Sequence, residues 1–246
     1  MVGREVRQTG EATSLRAHAW VLPAVYRTKA EGRRRNGEGE TTRIDELTNF
    51  PVSVECGAQV TGRNRLTTLL RPILAIPHAI LVGPLYWSSR TGGAGLIGAA
   101  AYVLSIVSWF LLLITGQHPK GIREFCEFYL RWRTRALAYM ALFVDPYPPF
   151  GDGVSPATIA VVDPGASRDR ASIAVRLILA IPHLIVLCVL LIAWFVITVI
   201  AWFAILFTGS YPQSLLPFAL GVMRWTLRVE AYLLLLVDEY PPFALE

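Results

Sequence analysis

His78 and His183 close the strings RPILAIPH (Arg71 to His78) and RLILAIPH (Arg176 to His183), so the chemistry open to one imidazole is present twice. A neutral imidazole offers a lone pair to a metal or haem iron and exchanges its proton near neutral pH. If the two stretches are related by a two-fold axis, these rings could face each other as axial ligands for haem or a pigment, or flank a proton path. The plainer reading is a histidine at a helix break, bonded to a carbonyl that Pro77 or Pro182 leaves without its amide partner.

Arginines form the second constellation. The pattern R-W-x-x-R occurs as Arg131, Trp132 and Arg135, and again as Arg224, Trp225 and Arg228. Guanidinium groups at this spacing suit lipid phosphates, or internal pairing with Asp145 and Asp238, the acids just before each Pro-Pro-Phe. Arg71 and Arg176 stand a turn or more ahead of the histidines, where a long side chain snorkels from a span entrance to the headgroups. No G-x-S-x-G, HExxH or P-loop string occurs, and the apolar stretches carry no acid, so catalysis is not expected. Cys56, Cys126 and Cys188 are isolated, without a zinc or redox spacing.

The elements that position these residues are duplicated. WFLLLITG (Trp109 to Gly116) returns as WFAILFTG (Trp202 to Gly209). Tyr139, Asp145, Tyr147 and Pro148 to Phe150 return as Tyr232, Asp238, Tyr240 and Pro241 to Phe243. Copy one carries an insertion near Trp87 to Gly98. The boundaries read as a basic tail over residues 1–50, a first repeat over 51–150 and a second over 151–246. Mixed charge and low hydrophobicity predict a disordered tail.

Charged residues make up 17% of the chain and apolar ones 54%. Leu177 to Met223 contains no Asp, Glu, Lys or Arg. Apolar runs of about 18 or more residues are bilayer-crossing candidates, because ~20 helical residues match the ~30 Å hydrocarbon core. The expected fold class is therefore an all-α integral membrane protein, each repeat holding a short strand, a transmembrane hairpin and an amphipathic interfacial helix. Val52 to Cys56 and Thr158 to Val162 are the β-prone pieces, and they could pair with each other. In copy one Ser88 to Gly93 reads as the hairpin turn. Copy two has no Gly or Pro between Leu184 and Phe207, which suits one continuous helix, but its likeness to copy one favours a tight hairpin, and a hairpin is the expectation.

Helical periodicity continues after each apolar block: Phe125, Tyr129, Trp132, Ala136, Tyr139 and Phe143 share a face, with the arginines elsewhere. Arginine at mid-bilayer costs about 2.5–3.5 kcal/mol on translocon scales, so an interfacial position is expected for both amphipathic helices. Of the 23 Lys and Arg, only Arg90 lies at a proposed hairpin tip, which puts both termini in the cytoplasm. The net charge of +5 then faces anionic lipid; no recognition motif accompanies it, so nucleic acid is not an expected partner.

At the level of RLILAIPH, WFAILFTG and RWTLRVEAYLLLLVDEYPPF, the chain resembles a family of bacterial membrane proteins catalogued as domain of unknown function 4389, over about Pro51 to Phe243. The resemblance implies a multi-span protein of the bacterial inner (cytoplasmic) membrane in tandem copies, and it brings no catalytic residues. The expected role is a non-enzymatic scaffold or accessory subunit of a membrane complex, whose Arg71, Arg176, Arg131, Arg135, Arg224, Arg228, Trp132 and Trp225 contact anionic lipid or a partner. No cofactor is expected unless His78 and His183 hold haem or a pigment. The alternative is a small transporter or channel at the repeat interface.

Overall fold

The computed structural model describes residues 50–85, 93–165 and 168–245. The expected disorder of the tail, and the copy-one turn with Arg90 at its tip, fall outside the described residues.

Strands β1 (Val52–Cys56) and β2 (Ala157–Val161) pair antiparallel, from Val52 opposite Val161 to Cys56 opposite Ala157. Their side chains alternate between buried and exposed, and the buried set is Val52, Val54, Ala157 and Ile159. Each strand alone would leave a row of amides and carbonyls unpaired. Pairing across the copies satisfies one edge of each.

Helix α1 (Arg65–Leu74) starts at Asn64, whose side chain accepts from the amides of Leu66 and Thr67. Helix α2 (Ile76–Val82) follows after a bend of 42°. Pro72 and Pro77 flank that bend; Pro77 lacks the amide proton that would bridge it to Ile73, and Pro72 removes one bond within α1. The carbonyl of Thr68, which Pro72 cannot bond, accepts instead from Trp202 Nε1 at 2.8 Å. Helix α3 (Gly95–Thr115) then ends at Gly116, whose φ of 75° requires the left-handed region. Its start abuts the end of α2 so closely that a Cβ on Gly95 would lie 2.4 Å from the Gly83 nitrogen.

Helix α4 (Lys120–Met140) completes the first repeat. The second contains helix α5 (Arg170–Thr208) and helix α6 (Leu216–Leu233). The hairpin expected in copy two is absent: α5 is one helix of 39 residues, about 58 Å at 1.5 Å per residue. The physical reason is local. Between Leu184 and Phe207 nothing lacks an amide or favours a turn, and Pro182 removes a single helical bond. Copy one, with Pro72 as well as Pro77 and an added Gly-containing segment, breaks into three pieces.

One stripe of α5 is buried: Ile173, Arg176, Ala180, His183, Leu187, Trp194, Thr198, Ala201 and Ile205, at spacings of three, four and seven. Its opposite face, from Leu177 through Ile185 and Ile192 to Phe207, is exposed and apolar. Helices α3 and α5 are each long and apolar enough to cross a membrane, and the bent α1–α2 pair makes a third candidate.

Helices α4 and α6 depart furthest from expectation. Their C-terminal halves are not surface segments with a basic outer face: Trp132 to Tyr139 and Trp225 to Tyr232 are buried without a gap, while Lys120 and Glu124 at the start of α4 are exposed. Contacts between α4 and β2, and between α6 and β1, place the sheet against them, while α3 packs on α4 and α5 on α6. The arginines tolerate this burial because most find internal acceptors. Trp109 Nε1 donates to the Ile173 carbonyl at 2.8 Å, and this bond and that of Trp202 to Thr68 join the copies reciprocally, the end of one to the beginning of the other.

Candidate functional site

Both amphipathic helices end in the same way. Leu142 and Leu235, with φ of 63° and 61°, occupy the left-handed region that disfavours side chains. The turn is closed by Phe143 N–H to Ala138 O in one copy and Leu236 N–H to Ala231 O in the other. Glycine would fit the dihedral better, but these leucines bury their side chains almost completely, at 1% and 2% exposure. The turn aims Asp145 and Asp238 back at the preceding helices.

Arg71 and Arg176 meet those acids. Arg71 donates through Nη1 to the carbonyls of Tyr139 (3.2 Å) and Val144 (2.9 Å), and through Nη2 to Asp145 Oδ1 (2.9 Å). Arg176 repeats the set with Tyr232 (3.1 Å), Val237 (2.8 Å) and Asp238 Oδ1 (2.7 Å). Each guanidinium lies over a tyrosine ring, Tyr139 at 4.3 Å and Tyr232 at 4.4 Å. Snorkelling is therefore corrected: these arginines turn inward and satisfy carbonyls that the helix ends leave open. Arg63 and Arg168, which lie outside the repeated strings, join them. Arg63 lies 2.9 Å from Asp145 through Nε, and Arg168 Nη2 donates to Asp238 Oδ1 at 2.7 Å. Burial lowers the Arg63 pKa to about 10, with Asp145 opposing the shift.

The histidines sit beside these latches. Trp132 Nε1 donates to His78 Nδ1 at 3.0 Å, and Trp225 Nε1 to His183 Nδ1 at 3.2 Å. Phe150 stacks on His78 at 4.6 Å, and Phe243 on His183 at 4.0 Å. The acceptor role of Nδ1 puts the proton of a neutral ring on Nε2, which is buried in both copies and has no partner at His183. Each ring stacks on the phenylalanine of its own copy, not on the other imidazole. The histidine partner is thus a tryptophan, not the carbonyl freed by proline, and the tryptophans point into the fold and not into a lipid interface. Among the described residues no group of three His, Cys, Asp or Glu could hold a metal ion.

The R-W-x-x-R arginines differ between copies. Arg131 donates to both oxygens of Asp152, at 3.0 and 3.1 Å, and Arg135 to Asp152 (3.2 Å) and the Gly153 carbonyl (2.7 Å). Their partner is Asp152, not Asp145. In copy two, Arg224 reaches the Val54 carbonyl at 3.4 Å. Arg228 is only 6% exposed, its guanidinium 5.8 Å from the Phe50 ring, and its Nε and Nη1 have no partner. Burial and the neighbouring Arg224 charge both lower its pKa.

A further ion pair lies between the copies. Arg133 Nε is 2.7 Å from each oxygen of Glu230, and Nη1 donates to the Val82 carbonyl at 2.7 Å. Burial pushes the Glu230 carboxyl up, and the Arg133 charge works against that shift. Sequence reading passed over both residues because neither recurs: Thr226 stands where copy two would repeat Arg133, and Leu137 where copy one would repeat Glu230. That departure from the repeat was the available signal.

A family model described as "Domain of unknown function (DUF4389)" matches residues 94–151 and 170–244. No curated protein and no solved structure matches the chain. The two matched segments contain α3 with α4 and α5 with α6, both Pro-Pro-Phe ends, and together more than half of the chain. The chain belongs to the DUF4389 family, with two segments that match it.

Proposed function

We propose that this protein is a non-enzymatic membrane scaffold or accessory subunit, held by its apolar helices, that grips an acidic group through Arg224 and Arg228. The observation that carries the reading is the unpartnered Arg228. A buried guanidinium with two idle donors beside a second cation is costly unless an anion completes it. The matching Arg131 and Arg135 clasp a carboxylate, Asp152, which identifies the chemistry the motif suits: a carboxylate or phosphate held by charge-assisted bonds. The acid would come from an anionic lipid headgroup of the bacterial inner membrane or from a partner subunit. The exposed apolar faces of α1, α3 and α5 support embedding, since faces this extensive need a bilayer or a protein over them.

The test compares Arg224→Gln/Arg228→Gln with Arg131→Gln/Arg135→Gln, both purified from membranes that resist alkaline carbonate extraction. The copy-two variant should lose bound anionic lipid, or a stoichiometric partner, by mass spectrometry. The copy-one variant should keep it, because its arginines already hold Asp152. Equal retention by both would refute the reading. A second reading, a small transporter or channel, draws on the cavity beside Arg133 and Glu230, and substrate-dependent uptake into proteoliposomes would favour it.

A further inference from the structure

The parts of the chain that repeat form the latches and aromatic cages. The parts that do not repeat converge on one place. A cavity of about 760 Å³ is lined by residues of α3, α4, α5 and α6. Its apolar wall includes Leu184, Leu187 and Leu191, and its polar wall Arg133, Glu230 and Tyr102. Leu85, just before the copy-one insertion, and Gly93 and Ala94, within it, form part of the same wall. A faithful two-fold copy would carry a second ion pair in place of Thr226 and Leu137, and it does not.

Stability alone does not account for this pair. Well-packed apolar residues of similar volume often serve a buried position as well as an ion pair or better. The bonds to Glu230 and Val82 occupy Nε and Nη1 of Arg133 and leave Nη2. Tyr102 lines the same wall. The volume lies within the ~300–1,000 Å³ of pockets that enclose small ligands, and such sites combine mostly apolar walls with a few placed polar groups.

We propose that this cavity binds an uncharged single-tailed amphiphile, its tail along the α5 leucines and its ester or carbonyl head accepting from Arg133 Nη2. The head is uncharged because Arg133 already has its counter-ion. A carboxylate at Nη2 would lie close to Glu230 in a low-dielectric wall, where like charges repel strongly, while a carbonyl oxygen takes the same bond without that repulsion. This inference is independent of the acid site at Arg224 and Arg228, and its test does not involve those residues.

The experiment uses the full chain in phosphatidylcholine nanodiscs at about pH 9, well above the ordinary carboxylate range of ~4. Two photoactivatable probes with the same diazirine-bearing tail are compared, a monoacylglycerol and the free fatty acid, and labelled peptides are mapped by mass spectrometry. The monoacylglycerol should label cavity residues of α5 and α6, and the fatty acid at least about tenfold less, as that repulsion requires. Leu191→Trp, which fills the cavity, should abolish cavity labelling and leave labelling of the outer face around Ile178 and Val189 intact. Glu230→Gln removes the repelling charge and should raise fatty-acid labelling to at least that of the monoacylglycerol. The first two comparisons stand even if Glu230→Gln does not fold. Equal cavity labelling by both probes in the unaltered chain, label confined to the outer face, or labelling undiminished by Leu191→Trp would each overturn the proposal.

Discussion

Replacing Asp238 by Asn isolates the latch at the end of the second repeat. The carboxylate receives Arg176 Nη2 at 2.7 Å, and the two side chains are 1% and 20% exposed. Arg168 approaches the same carboxylate with 2% of its side chain exposed. Asparagine keeps the size but removes the charge, leaving two buried guanidiniums without a counter-ion. Breaking a buried pair on one side costs roughly 3–5 kcal/mol. The lower end applies here, because Arg176 keeps its bonds to Tyr232 and Val237 and its position over the Tyr232 ring, and because Asp238 is partly open to solvent. For a chain of this size ~3 kcal/mol corresponds to a fall in Tm of about 6–12 °C. The assay is thermal unfolding of the purified protein in nanodiscs, followed by circular dichroism at 222 nm, for Asp238→Asn, Arg176→Met and the double variant. The double variant should be more stable than the sum of the single losses implies, since no buried charge remains at Arg176. A Tm for Asp238→Asn within about 1 °C of the unaltered protein, together with loss of anionic lipid in Arg176→Met, would show that Arg176 serves the headgroups after all.

Three more predictions follow from other sites. Trp225→Phe removes the donor to His183 Nδ1 at 3.2 Å and should cost about 1–3 kcal/mol in thermal unfolding, with no change expected if the bond were incidental. Burial pushes the Cys56 thiol up to about 12, so in a protein whose other cysteines are serine it should resist maleimide at about pH 8 until denaturant is added. Labelling of the folded protein at the rate of a free thiol would contradict the raised pKa. Hydrogen bonds from Arg131, then Arg135, hold the Asp152 carboxyl below the usual carboxylate range. A depressed folded pKa means that its stabilisation is complete above the unfolded value of ~3.9 and is lost as pH falls through the depressed value. The stability difference between the unaltered protein and Asp152→Asn should therefore be present at neutral pH and vanish in strong acid. Asp152 is more than half exposed, so the difference should be small.

Much of the architecture was legible because it depends on neighbours in the chain. The apolar runs mark α3 and α5, Pro-Pro stops follow α4 and α6, and the repeated strings match the family in two segments. Alternation at Val52 to Cys56 anticipated a strand, and matching placement in both copies anticipated its partner. Copy two forms one helix where likeness to copy one points to a hairpin, because local backbone chemistry outweighs that likeness. A run without Gly or Pro keeps its backbone bonds, and a homologous segment that has lost two of them is a poor guide.

What only the tertiary structure decided is the direction in which the polar groups face. Arginine next to an apolar run has the same sequence signature whether it reaches out to phosphate or in to a carbonyl. The outcome is set by acceptors far along the chain: Asp145 lies 74 residues from Arg71, and Glu230 lies 97 from Arg133. Periodicity showed that Trp132 and Trp225 share a face with apolar residues, but the facing surface was assumed to be lipid, and it is His78 or His183 under a phenylalanine. The sheet packed against α4 and α6 is built from strands in different repeats. Local pattern therefore determined the helices and their breaks; the arginine latches and aromatic cages arose from contacts between distant segments of one copy, and the asymmetric cavity from contacts between copies, none of which a single stretch of sequence encodes.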